Sequence, residues 1–301
     1  MYPGPYLDLL RHVFGTRVGL ERYEIANQRH DYVVLLAELS NPARRVVIKL
    51  AGPDALYSCP FDRTATLHSL VRSGTSVPIP EVISVDTTYR LWPWRYMIKA
   101  HAPGIEWAAA LPQMDNEARE GAYRQMGSAV AELHTISFDA FGELGDDGLP
   151  HIQMPYLEAL TERATQRIKD AHQANKFIKL LQDRASLFEE INQPSLCHDD
   201  LHKHNIIFNY EGGEWKLSAI LDFDSAYSGH HESDLSRLDF WHGMIGPGFW
   251  EAYTEVHPIS PMYQERRLIH QLLWCLEYAA PTPEHIEDTR RVYAQLNLNP
   301  D

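Results

Sequence analysis

Residues 196–225, LCHDDLHKHNIIFNYEGGEWKLSAILDFDS, place two polar clusters on either side of a hairpin. The first, His198-Asp199-Asp200-Leu201-His202-Lys203-His204-Asn205, runs into Ile206-Ile207-Phe208, which predicts a short buried strand. Glu211-Gly212-Gly213 predicts the turn, and residues 217–221 predict a second apolar strand that ends in Asp222-Phe223-Asp224. An Asp on a loop, an Asn five residues later and an Asp at a strand end suit phosphoryl transfer. That reaction needs a carboxylate to orient the attacking hydroxyl and take its proton, and hard oxygen ligands to hold Mg²⁺ on the phosphates. Asp200 is the expected base, and Asn205 and Asp222 are the expected metal ligands. Residues i and i+2 of a strand share a face, so Asp224 is expected to reach the same ions while Phe223 points into the core.

The order His-x-Asp-Leu-His-x-x-Asn at 198–205, followed by Ile-x-Asp-Phe at 220–223, resembles the aminoglycoside phosphotransferase and choline kinase superfamily. The resemblance covers about residues 23–239. It implies an α+β, two-lobed protein-kinase-like fold. Residues 1–101 would form a nucleotide-binding lobe with a five-stranded antiparallel sheet and a helix. Residues 102–301 would form a mainly helical lobe for catalysis and acceptor binding. It also implies ATP, or GTP in its place, with Mg²⁺, and a small-molecule hydroxyl as acceptor. His198 would pack the catalytic loop, and Asp234 of Ser233-Asp234-Leu235 would brace it. Lys49, in Arg45-Val46-Val47-Ile48-Lys49-Leu50, would hold phosphates and belongs with Asp200 in the catalytic set. In the hinge Lys99-Ala100-His101-Ala102-Pro103-Gly104, the backbone of Lys99, Ala100 and His101 would bind the base.

The chain departs from that pattern at three places. Asp199 stands where most members carry Gly. Arg63 stands where a helix Glu should pair with the lysine; there is no Glu between Lys49 and Glu81, so Asp62 is the nearest candidate to support Lys49. The turn at 27–31, expected to cover the phosphates, contains no glycine.

Composition limits the alternatives. The 301 residues carry a net charge of −14, which argues against nucleic acid and anionic membranes as partners. Three cysteines without a spaced motif fit a reducing cytoplasm. The sequence shows neither a signal-peptide pattern nor an apolar run long enough to span a bilayer. Monomer and homodimer both remain open. Sixteen histidines, with His198, His202 and His204 close together and His230, His231 and His242 downstream, leave a metal-dependent phosphohydrolase as a rival. The missing helix Glu leaves a catalytically silent nucleotide-binding protein as another.

Along the chain, periodicity predicts a helix at 6–14, strands at 18–26, 32–39, 45–50, 81–85 and 94–99, and a helix at 61–73. Helices are then predicted at 115–135, 156–191 with a break near Ala174, 240–253, 263–278 and 284–296. The acceptor side is expected from 156–191 and the region after Asp234. That region's Asp239, Glu251, Glu255, Glu265 and Glu277, interleaved with Trp241, Trp250 and Trp274, suit a cationic acceptor.

Overall fold

The computed structural model describes residues 4–56, 59–278 and 281–299. Its first half is organised by strands β1 (Gly19–Arg29), β2 (Tyr32–Ser40), β3 (Arg44–Ala51), β4 (Val82–Asp86) and β5 (Arg95–Ala100). They form one antiparallel sheet in the order β1-β2-β3-β5-β4. Strict alternation sorts the faces. Val33, Leu35, Ala37 and Leu39 of β2, with Val46, Ile48 and Leu50 of β3, pack under Leu9 and Leu10 of helix α1 (Gly4–Phe14). Helix α2 (Phe61–Gly74) covers part of the opposite face, with Phe61 against Ala51, Cys59 and Met97. The expected turn at 27–31 is shorter than predicted, because Asn27 and Arg29 pair with Val34 and Tyr32. Only His30 and Asp31 turn, and the Asp31 carboxylate accepts from the N–H of Asp54.

The second half is mainly helical. It opens with β6 (Ile105–Glu106), α3 (Trp107–Ala110) and α4 (Asn116–Leu133), whose N-terminus is capped by the Asp115 carboxylate accepting from Ala118 N–H. The predicted long helix is two, α5 (Tyr156–Arg167) and α6 (Ala171–Asp183). The break falls at Ile168–Asp170 because the Asp170 side chain caps the N–H groups of His172 and Gln173 and starts a new helix. Strands β7 (Ser195–Cys197), β8 (Ile206–Glu211), β9 (Glu214–Ile220) and β10 (Tyr227–Gly229) follow. Gly212 and Gly213 join β8 to β9 with φ of 64° and 90°, the two-residue turn that matches strand twist. The chain ends in α7 (Glu232–Phe240), α8 (Pro247–Thr254), α9 (Tyr263–Leu276) and α10 (Pro283–Gln295). The helix predicted at 240–253 begins later, since Gly243, Gly246 and Pro247 interrupt it. Helices α4 and α8 approach closely at Gly127, where a Cβ would lie 2.3 Å from the carbonyl oxygen of Phe249. Among the described residues, no helix is long and apolar enough to cross a membrane.

Four histidines are buried neutral. Burial lowers His68 to about 3, His231 to about 3 and His270 to about 4, and takes His230 well down. Neighbouring positive charge adds to each. Such a ring takes its proton only when the chain unfolds, so below the ordinary histidine value the unfolded chain binds more protons and stability falls. The buried Glu277, pushed up chiefly by desolvation, opposes this as one group against four. The urea midpoint is expected to drop between pH ~6.5 and ~4.5, by about 1.4 kcal/mol per pH unit for each fully effective ring. A flat profile over that window would contradict the burial of these rings.

Candidate active site

The hairpin brings the two polar clusters together. Beyond the Ile206↔Ile220 pair, the N–H of Leu221 donates to Asn205 O at 2.8 Å, which sets Asn205 beside the entry to Asp222. Asn205 Nδ2 donates to Asp200 O (2.9 Å) and Oδ2 (3.1 Å), so the amide locks the carboxylate. Among the described residues nothing donates to the Asn205 side-chain oxygen, which is free for a hard cation. His198 Nδ1 accepts from Asp200 N–H (3.2 Å), so Nε2 carries the proton and donates to Leu221 O (2.7 Å). Its ring lies 4.5 Å from that of the buried Phe223. Asp234, fully buried, accepts from the N–H groups of His198 and Asp199 (2.7 Å each) and from His134 Nε2 (3.1 Å). The loop that carries Asp200 therefore hangs on one carboxylate from α7.

Asp222 and Asp224 meet at Lys49, whose Nζ donates to Asp222 Oδ1 (2.7 Å) and Asp224 Oδ2 (2.9 Å). Strand alternation does not do this. The strand has ended, Asp222 has φ 69° and residues 223–225 form a 3-10 turn. Asp224 is also tied to α2: its Oδ1 accepts from Thr64 (2.9 Å) and its backbone carbonyl from Arg63 Nη2 (2.7 Å). Burial opposes charge on Lys49, but Asp224 and then Asp222 outweigh it and hold the ammonium well above its usual range. Burial likewise opposes charge on Asp222, yet Lys49 and then Lys99 bring its carboxyl down to about 2.

Asp62 is not the support of Lys49 that the sequence suggested. Its carboxylate accepts from the Thr87 hydroxyl, and α2 reaches Lys49 only through Thr64 and Asp224. Asp62→Ala is therefore expected to leave catalysis nearly unchanged, and Asp224→Ala to lower it. A Lys49/Asp224 double-mutant cycle should show roughly 0.5–3 kcal/mol of coupling in transition-state stabilisation. Comparable losses in Asp62→Ala and Asp224→Ala would reinstate the original assignment.

The unusual Asp199 has φ 60°, a left-handed conformation that Asp tolerates better than most residues. Its buried carboxylate faces Arg163, Arg167 (3.0 Å) and Arg237. Burial works against its charge, but Arg163 first, then Arg237 and Arg167, hold it far below the ordinary carboxylate range. Arg237 also donates to Asp199 O and lies 3.4 Å from Asp200 Oδ1. This arginine cage did not emerge from the sequence reading. The available signal was Arg163 and Arg167 at i,i+4, Arg163 sitting among the apolar residues of α5.

The expected acidic acceptor surface does not assemble. Asp239 pairs with Arg267, Glu251 with Arg124 on the surface, and Glu255 and Glu265 are exposed. Trp250 packs on Phe249 and Tyr263. Only Glu277 joins the site, and it is already met by Arg167 (3.3 Å) and Arg237 (4.0 Å). Trp274 stands edge-on to Trp241 at 4.8 Å nearby. The hinge also differs: the N–H groups of Ala100 and His101 are used on Glu81 O (2.8 Å) and Arg45 O (3.1 Å). Strand pairing thus runs past Lys99, and neither N–H is open to a base. The loop histidines do not gather around a metal. His202 Nδ1 accepts from His204 N–H, and His204 turns to Glu106. Among the described residues, the group with metal-like spacing is His230-His231-Glu232. There both Glu232 oxygens accept from Arg266.

Comparison with known proteins agrees with this architecture. A probable ketoamine kinase of Vibrio parahaemolyticus serotype O3:K6 is 24% identical over 277 residues, 87% of this chain and 86% of its own. The chloroplastic protein-ribulosamine 3-kinase of Oryza sativa subsp. indica is 31% identical over 118 residues, 39% of this chain. The chain matches only 32% of the length of that rice protein. Among solved structures, the streptomycin–ATP ternary complex of APH(2″)-IIa superposes with a TM-score of 0.66 at 15% identity, covering 99% of each chain. An ethanolamine kinase of Plasmodium vivax superposes with a TM-score of 0.55 at 14% identity, covering 92% of this chain and 82% of its own. These likenesses show the protein-kinase-like fold. The model of the phosphotransferase enzyme family, APH, matches residues 27–269, and with the loop, hairpin and paired lysine in place the chain belongs to that family.

Proposed function

We propose that this protein is an ATP- or GTP-dependent kinase that phosphorylates a hydroxyl of a small, amine-bearing sugar or alcohol. Residues 1–101 would hold the nucleotide, and residues 102–301 the acceptor and the catalytic groups. The observation that carries the reading is Asp200, locked by Asn205 and its loop tied to Asp234, with Lys49 held on Asp222 through the same hairpin. Bound Mg²⁺–nucleotide would supply the transferable phosphoryl group and neutralise its charge. Asn205 and Asp222 provide the hard oxygen donors that such an ion takes.

The protein's own part is orientation and proton transfer. Asp200 accepts a hydrogen bond from the acceptor hydroxyl, aligns it, and takes its proton as the new P–O bond forms. Arg237, 3.4 Å from Asp200, and the Asn205 amide hold that carboxylate in position. Lys49 exchanges its carboxylate partners for phosphate oxygens. The names of the relatives favour a sugar ketoamine as the acceptor.

A nucleotide-consumption screen tests this with ribulosamine- and fructosamine-type adducts, aminoglycosides, ethanolamine and neutral sugars. Mg²⁺-dependent turnover on amine-bearing acceptors is expected. Turnover restricted to neutral sugars would overturn the acceptor class. Nucleotide binding without turnover on any acceptor would favour a silent member of the family.

A further inference from the structure

The cleft-facing side of the first sheet carries two lysines, and they are treated differently. Lys49 is paired with Met97 and Val47 with Lys99 across β3 and β5, so both ammonium groups rise from the same face. Lys49 is met by two carboxylates. Lys99 is only 4% exposed, and among the described residues no oxygen accepts a hydrogen bond or ion pair from it. The charges felt at Lys99 are those of Lys49, Asp222 and Asp224, and burial, then Lys49, lowers it to about 8. An ammonium so placed, with no carboxylate on it, has its donors open to what binds in the cleft.

Position says which part of a ligand it meets. Lys99 stands two residues, ~7 Å, along β5 from the partner of Lys49, in the direction of the 101–104 crossing. Asp222, Asp224 and Asn205 mark the phosphate end of the cleft. A nucleotide with its phosphates on Lys49 therefore directs its base toward Lys99. The main-chain donors of Ala100 and His101 are already used within the sheet, and the Lys99 side chain adds a donor at the end of the same strand.

We propose that Lys99 selects the base of the phosphoryl donor, its ammonium donating to the O6 carbonyl of guanine, so that GTP is preferred over ATP. The proposal rests on the kinase reading and adds the donor's identity to it. A lysine ammonium has three donors and no acceptor. Guanine presents the acceptors O6 and N7 on that edge, whereas adenine presents an amino group in place of O6 and would set donor against donor.

Equilibrium titration with Mg²⁺–GDP and Mg²⁺–ADP tests this without any acceptor. The wild type should bind GDP more tightly by roughly 5- to 150-fold. Lys99→Met, which fills the same space without a donor, should erase or invert that ratio while thermal stability is kept. Lys99→Gln, whose amide both donates and accepts, should bind the two nucleotides about equally, and it serves should the Met variant fail to fold. Equal binding by the wild type, or an unchanged ratio in either folded variant, overturns the assignment to Lys99 and leaves the kinase reading standing. Failure of the wild type to bind either nucleotide overturns both.

Discussion

Asp200→Asn is expected to cut turnover on the true acceptor by roughly 10²–10⁴-fold while nucleotide binding persists. The substitution keeps the shape of the side chain and one oxygen for the Asn205 amide, which now spans the Asp200 carbonyl and Oδ2. What it removes is the charge that draws the hydroxyl proton and that Arg237 now faces. The backbone of the loop should not move, because His198 and Asp199 remain tied to Asp234. Single-turnover rates read beside nucleotide titrations separate the two effects. Near-wild-type turnover in the variant would remove Asp200 from its assigned role.

Asp199→Gly is expected to be the most destabilising substitution in the loop, although glycine suits its backbone better. At φ 60° glycine relieves strain, but Arg163, 2% exposed at its side chain, loses a buried counter-charge. Removing one partner of a buried ion pair costs about 3–5 kcal/mol, and the backbone gain is well below that. The melting temperature should fall on the order of 10 °C. Asp199→Asn, which tolerates the same backbone but carries no charge, should fall between Gly and wild type. If Asp199→Gly melts at the wild-type temperature, the arginine cage contributes nothing to stability. Arg237 then holds Asp200 without help from Asp199.

Much of the site was legible because its residues lie in one contiguous stretch. The loop, the Gly212-Gly213 turn and the strand leading to Asp222 are encoded by short-range spacing. So is the alternation that turned the strand residues of 32–39 and 45–50 alternately into the core. Helix ends were less legible. Asp170 capping α6 and Gly243-Gly246-Pro247 delaying the start of a predicted helix are local signals that a long apolar period overrode.

The sequence by itself determined the strands, the hairpin and the chemical inventory of Asp200, Asn205, Asp222 and Lys49. Only the tertiary structure decided which charge meets which. Asp224, 175 residues from Lys49, takes the place expected for a carboxylate on α2, and Asp62 is drawn away to Thr87. Asp199 finds arginines from α5 and α7, Glu277 is claimed by two of them, and among the described residues no carboxylate pairs with Lys99. The reason is physical. A charge buried by packing must take the nearest opposite group that the packed elements present, and spacing along one stretch carries no record of which elements those will be.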